Sequence, residues 1–244
     1  MKSFSLAKFK RKSVSSKAVS VSFKTVSKSK SESLEQENKI VFLDAYTTWC
    51  GPCKKMSREV FPLAEIGDFF NEKFINVKMD MEQEEGKKVA RRYGIRAFPT
   101  LLFVNSDGDV VHRVAGFKNS EGLLKLGTDA NNPTRQLAYM KKKYDGGNRE
   151  ADFLYSYAYA RLETFSGKDY MKVANEYLAT QKDWTTEKNL KFIFEFVKRT
   201  DAKMFDFLLE NKTAFNDQFG DFKVSQKIDR LVGTRIDQLL SLKN

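Results

Sequence analysis

The chain has 244 residues, 41% of them hydrophobic, more than a single domain of about 100–150 residues requires, so two packed units are expected. Its net charge of +11 hints at a nucleic-acid partner only until it is divided. Residues 1–33 hold nine Lys or Arg against Glu32, which leaves the rest near +3; no nucleic-acid partner is expected, and with no run near the ~20 apolar residues of a spanning helix, no transmembrane segment either.

Residues 1–18 alternate serine, lysine and single apolar residues. A secretory leader needs an apolar run of about 7–15 residues, and Lys8, Lys10, Arg11, Lys12 and Lys17 interrupt every candidate. Serine richness and scarce acids suit an organellar transit peptide, but lysine rather than arginine dominates. The segment reads as a disordered basic arm without an intact export signal, which predicts a cytoplasmic location for the chain as given. Val19–Phe23 is expected to be a first strand and Ser31–Asn38 a first helix.

Lys39–Tyr46 is apolar and β-branched enough for a buried strand, and Pro52–Val60 has helix-forming composition. Both cysteines of the chain lie between them, in Trp49-Cys50-Gly51-Pro52-Cys53. Cys50 therefore stands at a strand-to-helix junction, where unpaired N–H groups and the positive end of the helix dipole favour thiolate over thiol. A thiol of pKa about 8.5 falls to roughly 3.5–7.5 in such settings. Cys53 follows one helical turn later, expected to be less open to solvent and placed to close a small disulfide ring. Zinc would need two more ligands, and the chain offers His112 and carboxylates. A purely structural disulfide here would constrain the unfolded chain little. The pair is read as a cycling dithiol, with no metal.

The order of motifs from about Val21 to Asn131 resembles a thioredoxin domain. Trp49-Cys-Gly-Pro-Cys53 is followed by Tyr93-Gly-Ile-Arg-Ala-Phe-Pro-Thr100, a strand Leu101–Asn105, a turn Ser106–Asp109, a strand Val110–Val114, then Ala115-Gly116 and a last helix. The resemblance implies a three-layer α/β/α domain over residues 19–132 with no cofactor beyond the Cys50–Cys53 disulfide. It also implies roles. Asp44 would take the proton of Cys53 through water, the alternative being a plain strand-end carboxylate. Lys78 would stabilise that carboxylate, or else be a solvated strand lysine. Pro99 would be cis, leaving the backbone before it free for an extended peptide, with Phe98 and Thr100 flanking the groove. Trp49, Gly51 and Pro52 would lie beside the sulfurs, and Gly116 would let a substrate backbone approach.

Departures accompany the matches. Typical thioredoxins have a proline where this chain has Arg58, and Cys53-Lys-Lys-Met-Ser-Arg-Glu-Val-Phe61 is nearer to the soluble reductase domains of bacterial disulfide-interchange proteins. Those relatives are often exported, so the periplasm is the family-based alternative location. Phe61–Phe74 reads as a separate short helix, with Pro62 in its first turn.

After Asn131-Asn132-Pro133 proline disappears, and apolar and aromatic residues recur three and four apart. Residues 133–244 are read as all-helical, with helices near 134–145, 149–164, 169–180, 186–198, 201–210 and 222–241. Their pairing resembles tetratricopeptide-type hairpins, though no 34-residue self-similarity supports a repeat. Phe153, Tyr155, Tyr157, Tyr159, Phe165, Phe192, Phe194, Phe196, Phe205 and Phe207 are read as core rather than as a peptide groove. Lys141–Lys143 and Lys198–Arg199 are read as solvated faces.

The expected function is thiol–disulfide exchange: Cys50 attacks a protein disulfide, Cys53 resolves the mixed disulfide, and an unidentified electron donor restores the dithiol. Gly-Pro between the cysteines, as in reducing thioredoxins, points to a reductase. The competing expectation is an adaptor or chaperone-like module that binds through its helices and leaves the cysteines idle.

Overall fold

The computed structural model describes residues 9–10, 20–23, 25–26, 39–164, 169–198, 200 and 202–241. Of the expected basic arm only Phe9 and Lys10 are described, as β1 (Phe9–Lys10), which pairs antiparallel with β2 (Thr25–Val26). The helix expected over Ser31–Asn38 lies outside the described residues.

Four strands form the central sheet in the order β4-β3-β5-β6: β3 (Val41–Tyr46), β4 (Ile75–Asp80), β5 (Thr100–Val104) and β6 (Val110–Ala115). β3 runs parallel to β4 and antiparallel to β5, which pairs antiparallel with β6. A parallel pair needs a crossover, supplied here by α1 (Gly51–Glu59) and α2 (Ala64–Lys73). α3 (Glu84–Tyr93) joins β4 to β5, and α4 (Ser120–Asn131) follows β6.

Side chains alternate across the sheet with period two, so each strand feeds two cores. Phe42, Leu101, Phe103 and Val114 pack with Met56 of α1, Val60 just after it, Ile66 and Phe70 of α2, and Leu123 and Leu126 of α4. Val41, Leu43, Ala45, Val77 and Leu102 point the other way and pack with Val89 of α3. The result is the expected three-layer α/β/α arrangement. By the same alternation Asp44 and Lys78, directly paired in the β3–β4 register, share the face that α1 covers.

Of the segment expected as a first strand, the described residues 20–23 do not join this sheet. Residues 21–23 are stapled by side chain and turn instead: Val21 N–H donates to Phe61 O (2.9 Å), Ser22 N–H donates to Asn71 Oδ1 (2.7 Å), and the Phe23 ring meets Phe61 edge-on at 5.0 Å. Pro62 precedes α2 instead of opening it, because the turn from Val60 to Leu63 separates the helices and Leu63 is the cap.

The chain divides into two compact units: residues 1–148 with 163–166, and residues 149–162 with 167–244. The division falls later than the Asn132/Pro133 juncture read from the sequence, because α5 (Leu137–Asp145) packs on β6. His112 makes the join: its Nδ1 accepts the Leu137 N–H at 2.9 Å, capping a helix whose own N-cap residue, Gln136, supplies no side-chain bond.

The second unit is all helix: α6 (Ala151–Leu162), α7 (Asp169–Ala179), α8 (Glu187–Phe196), α9 (Lys203–Glu210), α10 (Lys212–Phe219) and α11 (Asp221–Ser241). α6 pairs with α7 and α10 with α11. α10 was not expected from the sequence, since Lys212-Thr-Ala-Phe-Asn-Asp-Gln-Phe219 is rich in weak helix formers; Phe215, fully buried, holds it in place. Tyr155, Tyr177, Phe192 and Phe196 interlock at centroid spacings of 4.1–5.4 Å, which makes the aromatic stripe core. Phe165 and Arg199 lie outside the described residues. Among the described residues no helix is long and apolar enough to cross a membrane.

Candidate active site

The first turn of α1 builds the site. Cys50 is the N-cap residue in extended conformation, Pro52 occupies the first turn, where a missing N–H costs nothing, and no acidic residue is present to offset the helix dipole. Cys50 Sγ accepts the Cys53 N–H at 3.1 Å, and the two sulfurs are joined in a disulfide with Cα atoms 5.3 Å apart. Each cysteine is about 3% exposed, so the expected difference in openness between them is absent in the disulfide form.

Two loops face this turn. The peptide bond Phe98–Pro99 is cis, and Gly116 N–H donates to Pro99 O at 2.8 Å. Gly116 has φ +92°, a left-handed value that favours glycine and lets the chain leave β6 against Pro99. Trp49 is 68% exposed and meets the Phe98 ring edge-on at 5.8 Å, so an aromatic wall flanks the disulfide. Gly51 and Pro52 are exposed beside it. Thr100 is buried and gives its hydroxyl hydrogen to Ala97 O at 2.6 Å, turning that side chain inward.

Beneath α1, Asp44 is 1% exposed, with Lys78 Nζ 3.7 Å from its Oδ2. That distance makes an ion pair but exceeds a hydrogen bond, and Oδ2 has no hydrogen-bond partner among the described residues. Burial raises the Asp44 carboxyl from 3.8 to about 6, outweighing the nearby ammonium that pulls it down. Lys78 is far from a freely solvated lysine. Its ammonium donates to Ser57 Oγ and lies over the Tyr46 ring at 4.9 Å. A cavity of about 290 Å³ adjoins this group, lined by Tyr46, Thr47, Thr48, Cys53, Lys54, Ser57, Arg58 and Lys78.

Glu82 has no motif to announce it. From the loop after β4 its carboxylate accepts both the N–H and the hydroxyl of Thr48 at 2.6 Å, fixing the loop that delivers Trp49 and Cys50. These bonds hold the Glu82 carboxyl below its ordinary range. The one available sequence signal is an acid two residues beyond a strand that pairs with β3. Among the described residues no three His, Cys, Asp or Glu side chains gather as a metal site would require.

The family described as a thioredoxin-like domain matches residues 27–131. A thioredoxin of Bacillus subtilis is 37% identical over 94 residues, covering 38% of this chain and 85% of that protein. Thioredoxin-1 of Drosophila melanogaster is 33% identical over 85 residues, covering 35% of this chain and 71% of its own. A protein disulfide-isomerase of Datisca glomerata is 27% identical over 100 residues, 41% of this chain but 20% of that protein. Among solved structures, a candidate disulphide-isomerase of Bacteroides thetaiotaomicron is 44% identical, with 46% of this chain and 97% of that chain covered at a TM-score of 0.40.

Proposed function

Because the chain belongs to the thioredoxin-like family, we propose that its Cys50–Cys53 pair serves thiol–disulfide exchange as a reductase of protein disulfides. The observation that carries this reading is Cys50 Sγ at the N-cap of α1, accepting an amide hydrogen with no acidic residue nearby in the first turn. Once reduced, Cys50 keeps that amide and the dipole as partners for its thiolate, which makes it the nucleophile.

The steps balance as a two-electron transfer. Cys50 thiolate attacks one sulfur of the substrate disulfide, and the other sulfur leaves as a thiolate that takes up a proton. Cys53 then attacks Cys50 Sγ, the mixed disulfide breaks, and the second substrate sulfur leaves as a thiolate that takes up a proton from water. The Cys53 proton passes to the Asp44 carboxylate, whose value of about 6 lies close to working pH and suits a general base. Lys78 keeps that carboxylate usable: without the ammonium, burial alone would push it higher. An extended substrate segment lies along Phe98 and cis-Pro99, whose ring offers no N–H, between Trp49 and the open backbone of Gly116. An external electron donor then reduces the Cys50–Cys53 disulfide.

Insulin reduction with dithiothreitol tests the reading. Wild type accelerates it and Cys50→Ser does not; equal rates overturn the proposal. Cys53→Ser should accumulate mixed disulfides with substrate proteins from a cell extract. Recovery of none favours an adaptor with idle cysteines.

A further inference from the structure

The cavity behind the dithiol has an unbalanced lining. Lys54, Arg58 and Lys78 contribute three cations and no carboxylate lines it. Lys54 and Arg58 stand four residues apart on α1, on one face, where like charges repel. The Lys54 ammonium has no ion pair or hydrogen bond among the described residues, its backbone N–H alone donating to Cys50 O at 3.1 Å. Among the described residues Arg58 reaches only its exposed neighbour Glu59, at 2.8 Å, a solvated pair of small worth. Asp44, paired with Lys78 at 3.7 Å, is buried outside the lining, and the Glu82 carboxylate, also outside it, is taken up by Thr48.

Thr47 is a second and independent sign. It is 3% exposed, it belongs to the lining, and its hydroxyl has no hydrogen-bond partner among the described residues. A buried polar group left unpaired costs about 1–3 kcal/mol, so such groups in native proteins call for a partner. At about 290 Å³ the cavity is at the lower limit for a drug-sized ligand, yet it holds several times the ~30 Å³ share of a water molecule. That space suits one oxyanion.

The geometry points to an oxyanion site behind Cys53 that takes a carboxylate or phosphate, held by Lys54 and Arg58 with the Thr47 hydroxyl beside them. The anion is either free in solution or carried next to the disulfide on the substrate. It has a consequence for the chemistry, resting on the oxidoreductase reading above. A negative charge beside Cys53 disfavours the Cys53 thiolate, and by reciprocity that thiolate weakens the anion's hold. The anion is held least while Cys53 is a thiolate and is held again once that sulfur is in the Cys50–Cys53 disulfide.

Two arms test the site and separate the sources. In the first, the intact oxidised protein is titrated with inorganic phosphate, against chloride at equal ionic strength, and amide signals of residues 47–58 are followed by NMR. Saturable shifts are expected in wild type, and at least tenfold weaker binding in the exposed-site double variant Lys54→Ala/Arg58→Ala, whereas Lys141→Ala binds as wild type. This arm needs no turnover, so it stands even if the oxidoreductase reading fails. In the second, reduction of two disulfide peptides is compared, one with glutamate and one with lysine beside the cysteine. A KM at least fivefold lower for the acidic peptide in wild type, lost in the double variant, places the anion on the substrate. Phosphate shifts no larger than those of chloride, together with the same KM ratio in wild type and double variant, overturn the proposal.

Discussion

Asp44→Asn should make the first unit more stable at neutral pH while impairing its chemistry. The wild-type carboxyl titrates at about 6 when folded, against 3.8 ordinarily, because burial outweighs the pull of Lys78 at 3.7 Å. That attraction alone is about 4 kcal/mol at an effective dielectric constant near 20, so desolvation must cost more. An acid whose folded value is raised contributes stability below its unfolded value and loses it as pH climbs through the folded one. At about 1.4 kcal/mol per pH unit, the gap between 3.8 and about 6 corresponds to about 3 kcal/mol of stability lost over that window. Asparagine has nothing to ionise. The stability of Asp44→Asn relative to wild type should therefore be constant below pH 3.8, grow by about 3 kcal/mol up to roughly pH 6, and level off above it. Urea unfolding of the oxidised proteins, followed through NMR signals of β3 and β5, reports the first unit and cancels every other pH effect in the difference. A difference that stays flat from pH 3.5 to 7.5, or that shrinks as pH rises, refutes the reasoning. Resolution of a mixed disulfide should slow in the same variant, as read by the lifetime of the covalent complex.

His112 gives the opposite pH dependence. Burial lowers the imidazole from 6.5 to about 4, so its contribution is present above pH 6.5 and lost on acidification toward 4. Wild type should lose about 3 kcal/mol over that window that His112→Gln does not lose, measured by urea unfolding at each pH. Gly86→Ala should destabilise the first unit by several kcal/mol, since an added Cβ would stand 1.9 Å from the Asp80 carbonyl oxygen and backbone cannot yield there. Gly127→Ala, meeting the Phe69 and Phe70 ring edges at 2.7–3.2 Å, should cost about 1–3 kcal/mol; equal midpoints for the two glycine variants would contradict this contrast. In the second unit Asn189→Leu strands the Tyr177 hydroxyl and the Asp183 carbonyl, each now bonded at 2.7 Å, and should cost about 3 kcal/mol by the loss of α8 signals at lower urea.

The dithiol was legible in the chain because its chemistry is local. A cysteine at a strand-to-helix junction meets the helix N-terminus whatever lies elsewhere, and the spacing of Cys50, Cys53, the Phe98-Pro99 dipeptide and Gly116 follows from strand and helix lengths along one stretch of sequence. Helical periodicity likewise marked most of the second unit, and failed for Lys212–Phe219, whose stability comes from the burial of Phe215 and not from its own composition. Other features depended on partners distant in sequence. The ion pair of Asp44 with Lys78 requires the β3–β4 register, and a one-residue slip would send the lysine to the opposite face. The bonds from Thr48 to Glu82, the attachment of α5 through His112, and the gathering of Lys54, Arg58 and Lys78 around one cavity join segments 4 to 34 residues apart. Sequence by itself determined which atoms react, since that is a matter of residue type and nearest backbone. Tertiary structure decided how acidic their surroundings are and what charge lies behind them, because desolvation and Coulomb forces act through space rather than along the chain.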